Sequence, residues 1–328
     1  RLQKEWLNKG RKTPEGGLYQ LGKNYYTWTI KQYTSVDITP EEVYALGELE
    51  VRKVKKEIAA IQKQMGYTDS ASFYQHLNSS EYYITDKQAL LKEFERVDSM
   101  VRIHLPQFIG IKYIPAIHAM EWPGATAQTP PGMYLNRSNN AYGKDVFQFN
   151  FFTKRYNKRA IEWLYMHEAI PGHHLQFSTA KQSTPFEDLF YYPGNFEGWG
   201  CYVEYFGKYV GLFQEPYSYL GKWEWDLVRS ARLVIDVGIH YYGWSREKAL
   251  TYWKQTIPNQ NDIAEREVTR VTNWPGQALS YKVGAAQIFK MQDAWEKKYP
   301  GRPLQEFYQR FLIMGRLPLS VIQKNIIV

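Results

Sequence analysis

Residues 39–66, "TPEEVYALGELEVRKVKKEIAAIQKQMG", limit the possible folds of this chain more than any other segment. Thr39 is placed to cap a helix, Pro40 suits its first turn and Glu42 completes a capping box. Val43, Leu46, Val51, Val54, Ile58, Ile61 and Met65 then recur at helical spacing, and Gly66 supplies the stop. A long helix with one apolar stripe has to bury that stripe against other elements, and more helices are on offer. The patterning predicts them near 68–78, 86–104, 160–180, 196–211, 218–241, 245–256, 260–272, 277–298 and 303–314. The expected fold class is therefore mainly α. The exception is 122–152, where "WPGATAQTPPG" is turn-rich, "MYLNR" is extended and "VFQFNFF" alternates Phe147, Phe149 and Phe151 with polar neighbours. A small β-hairpin or sheet is expected there.

At 328 residues the chain is long enough for a large core, and 44% apolar with 23% charged residues is the balance of a folded globular protein. The net charge of +8 raises the question of an anionic partner. Its basic runs, "VRKVKKE" at 51–57 and "TKRYNKR" at 153–159, are short, and the first is the solvated face of the long helix, so no nucleic-acid partner is expected. No apolar run approaches the ~20 residues that span a bilayer. The 27 tyrosines and 11 tryptophans suit either a core or an aromatic cleft. A single cysteine, Cys201, excludes an internal disulfide and reads as a packed thiol. The chain opens "RLQKEW", which reads as a mature or trimmed piece.

The chemistry concentrates in "WLYMHEAIPGHHLQF", residues 163–177. The zinc-hydrolase pattern H-E-x-x-H works because histidines four apart share one helix face about 6 Å along the axis. Here Pro171 stands where the second histidine belongs. His173, six residues after His167, would point ~120° away on a continuous helix, and His174, seven after, would sit ~10 Å up the axis. Pro171 cannot donate to the carbonyl of His167, and Gly172 permits almost any backbone angle. Two residues looping out at this dipeptide would return His173 to the effective fourth position. Glu168 then occupies the general-base position of the motif. A third ligand from a later carboxylate would leave the fourth position to water. In "NFEGWGCYVEYFG", Glu197 and Glu204 stand seven apart on one helical face; Glu197 is the better ligand, and Glu204 suits an outer role orienting a histidine.

"HEAIPGHHLQ", "EGWGCYVE", "RLVIDVGIHYYGWSREKAL" and "PGQALSYKVG", with "YYTWTIKQYTSVDITPEEVYALG" and "PPGMYLN" before them, stand in the order and near the spacing of the family catalogued as domain of unknown function 885. The chain resembles that family over nearly its whole length. The family's members are bacterial and resemble zinc-dependent peptidases, and they are commonly longer. The resemblance implies a zincin-like (gluzincin) multi-helix fold, with residues 1–328 as one catalytic domain from the C-terminal part of a longer protein. It also implies a periplasmic, lipoprotein or secreted location.

In the related angiotensin-converting-enzyme-like and Taq-type carboxypeptidases a glycine directly precedes the second histidine, which Gly172 matches and which favours His173 over His174. "EGWG" is similar to the Glu-Gly ligand motif of gluzincin aminopeptidases and supports Glu197. The implied cofactor is one Zn²⁺ per chain, held by His167, His173 and Glu197. His174, Glu204 and Asp236 are outer or alternative partners. Related gluzincins stabilise the oxyanion with a Tyr or His opposite the metal, making Tyr281 the first candidate and His240 the second. Arg270 and Lys282 are candidates to hold a substrate carboxylate, and the edge carrying Tyr134 and Asn136 to hold the peptide by strand addition. The expected function is a zinc metallopeptidase. The alternatives are a zinc amidase or esterase acting on cell-wall-type substrates and a catalytically silent peptide- or glycan-binding protein.

Overall fold

A computed structural model describes residues 17–179 and 191–327 and is mainly helical. Helices α1 (Lys23–Thr34), α2 (Pro40–Gln64) and α3 (Ser70–Leu77) come first, followed by the short strand β1 (Tyr83–Ile84) and helix α4 (Lys87–Phe108). Strands β2 (His118–Glu121), β3 (Gly132–Leu135), β4 (Val146–Phe149) and β5 (Tyr156–Asn157) precede α5 (Ile161–Glu168) and α6 (His173–Thr179). The chain ends with α7 (Pro193–Glu204), α8 (Pro216–His240), α9 (Arg246–Thr256), α10 (Ala264–Asn273), α11 (Ser280–Lys298), α12 (Leu304–Ile313) and α13 (Leu319–Ile326).

The capping box of α2 forms: the Glu42 amide donates to Thr39 Oγ1 at 3.2 Å and the Thr39 amide to Glu42 Oε2 at 2.8 Å. Its stripe of Val43, Val51, Val54, Ile58 and Ile61 is buried against α8, where Gly47 lets the axes approach; a Cβ at Gly47 would stand 2.8 Å from a Val234 methyl. Two helices were not anticipated. In α1, "KNYYTWTIKQYT", β-branched and aromatic residues depress helix propensity, yet Tyr26, Thr29 and Ile30 are buried at helical spacing, so packing overrides propensity. Helix α13 buries Leu319, Ile322 and Ile326 in the same way.

Helix α8 carries seven Asp, Glu, Lys, Arg and His residues, all of them buried. Buried charge is tolerated only when paired, and each has a partner. Lys222 meets Asp226, Glu224 meets Arg159, Arg229 meets Glu204 and Arg232 meets Glu267. Asp236 accepts from Tyr26 Oη at 2.5 Å, and His240 Nε2 bonds the Val271 carbonyl at 2.9 Å. Losing one member of such a pair typically costs ~3–5 kcal/mol, so this axis fixes the register of the helices around it.

The expected small sheet lies just upstream of α5. Its order is β2-β4-β3, with β2 parallel and β3 antiparallel to β4. Central β4 is covered on both faces, and Gln148 is buried along with Phe147 and Phe149, so the half-exposed alternation read from the sequence does not hold there. Strand β3 is an edge. Because Pro131 O accepts from the Asn150 amide, the alternation of antiparallel bonding turns the backbone groups of Gly132 and Tyr134 away from β4.

Candidate metal centre

The break at Pro171–Gly172 forms as a two-residue bulge. Helix α5 ends with the Ala169 amide on Tyr165 O at 2.8 Å. The Leu175 amide then reaches Ala169 O at 3.4 Å, a step of six residues in place of four, and the Gln176 amide resumes the normal step to Gly172 O at 3.0 Å. The Ile170–Pro171 peptide is cis, and the Trp199 indole on α7 donates to Pro171 O at 2.9 Å. Gly172 is sterically required, since a Cβ there would lie 1.9 Å from His167 O. Gly200 leaves room for the His167 ring, 2.6 Å from where its own Cβ would be. The result is the arrangement the sequence asked for, with the His167 and His173 rings 4.7 Å apart at 81°.

Glu197, on the second turn of α7, closes the set. Its Oε2 stands 3.3 Å from His167 Nε2 and 3.5 Å from His173 Nε2, and one donor atom from each of the three residues lies within 4.8 Å of the others. Two ligands of a tetrahedral Zn²⁺ with ~2.0–2.2 Å bonds are separated by roughly 3.3–3.5 Å, so the donors fit that ion. Two turns further along α7, Glu204 Oε1 accepts from His167 Nδ1 at 2.8 Å, which makes Nε2, the nitrogen facing Glu197, the one available to a cation. Arg229 anchors Glu204 through Nη1 at 2.7 Å. His173 Nδ1 is buried without a hydrogen-bond partner among the described residues.

A second grouping, His167, Cys201 and Glu204, also brings donors together. There the Arg229 guanidinium already supplies the positive charge, with Nη2 3.2 Å from His167 Nδ1, so the Glu197 side is the one suited to a cation. The Cys201 thiol is buried and burial pushes its pKa up, as expected of a packed thiol.

The electrostatics agree. Burial opposes a charged His167 ring, yet its contacts with Cys201, Glu197 and Glu204 hold its pKa well above the ordinary value. Burial would also raise the Glu197 carboxyl, but the bonds and charges of His167 and His173 outweigh it and hold that group far below the usual range. In the metal-free protein the two carboxylates thus favour positive charge on the His167 ring between them.

These residues line a cleft of about 740 Å³, walled by β3, α5, α7, α8, α10 and α11 and by aromatic side chains including Trp163, Trp225 and Tyr191. Glu168 lines it too, its Oε2 accepting from the Tyr134 amide at 2.8 Å, so the outward N–H of the edge strand is committed to the candidate base. Tyr281 lies on the opposite wall with its ring 6.3 Å from that of His167, and its hydroxyl accepts from Arg270 at 3.1 Å. Tyr134 and Asn136 border the cleft, but the Tyr134 hydroxyl is committed to Asp145 at 2.7 Å and the Asn136 amide to that hydroxyl at 3.2 Å. Their side chains brace β3, and of its outward backbone the groups of Gly132 and the Tyr134 carbonyl are left to meet a ligand.

Besides Glu204, which stands behind His167, four sequence candidates lie outside the cleft. His174 is fully buried with Nε2 on the Pro115 carbonyl at 2.9 Å, and burial lowers its pKa. His240 is bonded on both nitrogens, to the Leu18 amide and Val271 O, and Asp236 holds Tyr26 and the Gly276 amide. Lys282, expected to bind substrate, is instead sequestered between Glu50 (2.6 Å), Asp226 (2.9 Å) and Tyr205 (2.9 Å). One helical step separates it from Tyr281, which turns its side chain ~100° around α11 and out of the cleft. Conversely, the roles of Arg229 and Trp199 were not foreseen; Trp199 lies inside the quoted "EGWGCYVE", whereas Arg229 stands three residues before "RLVIDVGIHYYGWSREKAL" and carries no local signal.

Residues 1–326 match the family described as "Bacterial protein of unknown function (DUF885)". No curated protein matches the chain. Among solved structures, a candidate lipoprotein of Colwellia psychrerythraea superposes with a TM-score of 0.87 at 24% identity, over 98% of this chain and 57% of that one. A candidate lipoprotein of unknown function from Shewanella oneidensis gives 0.79 at 20% identity, over 98% of this chain and 61% of that one. At such identities the likeness establishes the fold, and the chain spans less than two thirds of either relative's length. With the family matched across nearly all of its residues, the chain belongs to the bacterial family DUF885.

Proposed function

We propose that this chain is a zinc-dependent hydrolase of zincin-like, gluzincin type, most simply a metallopeptidase. The observation that carries the reading is the convergence of His167, His173 and Glu197 at zinc-ligand spacing on the wall of a cleft that Glu168 also lines. A zinc ion held there would supply Lewis-acid activation of water and of the scissile carbonyl. Glu168 takes the proton of the attacking water and passes it to the leaving amine, and the Tyr134 amide keeps its carboxylate in place. Glu204, locked by Arg229, fixes the His167 tautomer. Tyr281, polarised by Arg270, is placed to donate to the developing oxyanion. With the Tyr134 amide held by Glu168, the outward backbone of Gly132 and the Tyr134 carbonyl remain as a short rail for an extended substrate. The names of the two solved relatives support a lipoprotein or secreted setting.

The test is metal content of protein purified without chelator. About one zinc per chain is expected in the wild type and in His174→Ala, and none in His173→Ala. Glu168→Gln should keep the metal and lose peptide hydrolysis by at least ~100-fold. A zinc-free wild type after zinc is supplied, or a fully active Glu168→Gln, would refute the reading.

A further inference from the structure

The wall of the cleft formed by α8, α10 and α11 carries more positive charge than it neutralises. Of its four guanidiniums, Arg229 is paired with Glu204, which leaves Arg232, Arg266 and Arg270 to share a single carboxylate, Glu267. Glu267 Oε2 takes Arg232 at 2.9 Å and 2.5 Å, and Oε1 takes Arg266 at 3.2 Å. Arg270 is left with two neutral hydrogen-bond partners, Gln277 Oε1 at 2.8 Å and Tyr281 Oη at 3.1 Å. It forms no ion pair among the described residues, although it is largely shielded from water. Such a cation is preorganised for an anion, and its planar fork suits a carboxylate.

Its distance from the metal ligands sets which carboxylate. The Arg270 guanidinium carbon lies 5.8 Å from the Tyr281 ring centre, which lies 6.3 Å from that of His167, so Arg270 and His167 are within about 12 Å. After ~3–4 Å is allowed at each end for ligand contacts, the span holds at most one or two extended residues at ~3.3–3.6 Å each. We infer that the cleft grips peptides by their free C-terminal carboxylate through Arg270, within the excess positive field of Arg232 and Arg266, and releases one or two residues from that end. This rests on the metallopeptidase reading. In the reaction the amide C–N bond breaks, the water oxygen joins the acyl carbon and the proton goes to the leaving amine, so no further reactant is needed.

Two measurements separate this inference from the reading beneath it. In zinc-loaded protein, N-blocked tripeptides with a free C-terminus should be cleaved at least ~100-fold faster than their C-terminal amides, and Arg270→Gln should remove most of that acid-over-amide ratio in kcat/KM while keeping zinc; any loss of Tyr281 polarisation slows acid and amide alike and leaves the ratio untouched. In the inert Glu168→Gln protein, calorimetry with the same pairs should show the acid binding at least ~10-fold tighter than the amide, with Arg270→Gln abolishing the difference and Arg270→Lys restoring part of it. Equal cleavage and binding of acid and amide would overturn the inference and leave the metallopeptidase reading standing. A preference for internal Asp or Glu with no effect of the chain end would assign the cation to an acidic side chain and also overturn it. Zinc binding without any turnover would sink the peptidase reading, and the calorimetry would still decide the carboxylate site.

Discussion

Gly172→Ala tests the bulge most directly. The added Cβ would lie 1.9 Å from His167 O and 2.3 Å from Met166 O, both backbone atoms that cannot rotate away. Restoring even a tight 3.0 Å contact requires a displacement of about 1.1 Å between the end of α5 and the start of α6, so His173 moves relative to His167 by that order. Metal sites tolerate ligand errors of only ~0.2 Å, so the variant should behave as though it had lost a ligand. Zinc affinity, measured by chelator competition, should fall by at least ~100-fold, beyond the ~10–100-fold typical of losing an outer partner. The overlap itself should destabilise the metal-free fold by only about 1–3 kcal/mol, readable as a lower urea midpoint with unchanged slope. A Gly172→Ala protein that folds and binds zinc as tightly as the wild type would show that the bulge does not position the donors.

Two further outcomes follow from the buried groups beside the cleft. Burial pushes the Asp236 carboxyl up to about 7, so the folded state holds a proton that the unfolded chain releases near 3.9. Its stabilising effect is greatest at low pH and is lost as pH rises towards 7, by up to ~4 kcal/mol; Asp236→Asn should flatten urea stability between pH 4 and 7 and exceed the wild type at pH 8, and an unchanged slope would refute this. Lys282→Ala should destabilise the fold by about 2–4 kcal/mol, because Glu50, Asp226 and Tyr205 lose their common cation, yet leave kcat/KM per folded molecule unaltered; a selective rise in KM would return Lys282 to the substrate site.

Much of this protein is local enough to read along the chain. The capping box and stripe of α2 need only residues 39–66, because helix signals repeat every three or four positions. The same locality made "HEAIPGHH" legible: proline and glycine between the histidines forbid a continuous helix, and two looped-out residues restore the spacing. Both carboxylates of α7 were visible for the same reason, being two turns apart on one face.

The tertiary structure alone decided the partners. Whether a basic side chain on a helix serves substrate or scaffold depends on which distant carboxylate meets it: Lys282 finds Glu50, 232 residues away, while its neighbour Tyr281 faces the cleft. Likewise the local motif favoured Glu197 over Glu204 as a ligand, but the contact that holds Glu204 in its outer role comes from Arg229 of α8, 25 residues away. Hydrophobic period reports which face of a helix is buried, but charge pairing across helices is set by how the helices cross, and a burial pattern carries no record of that geometry.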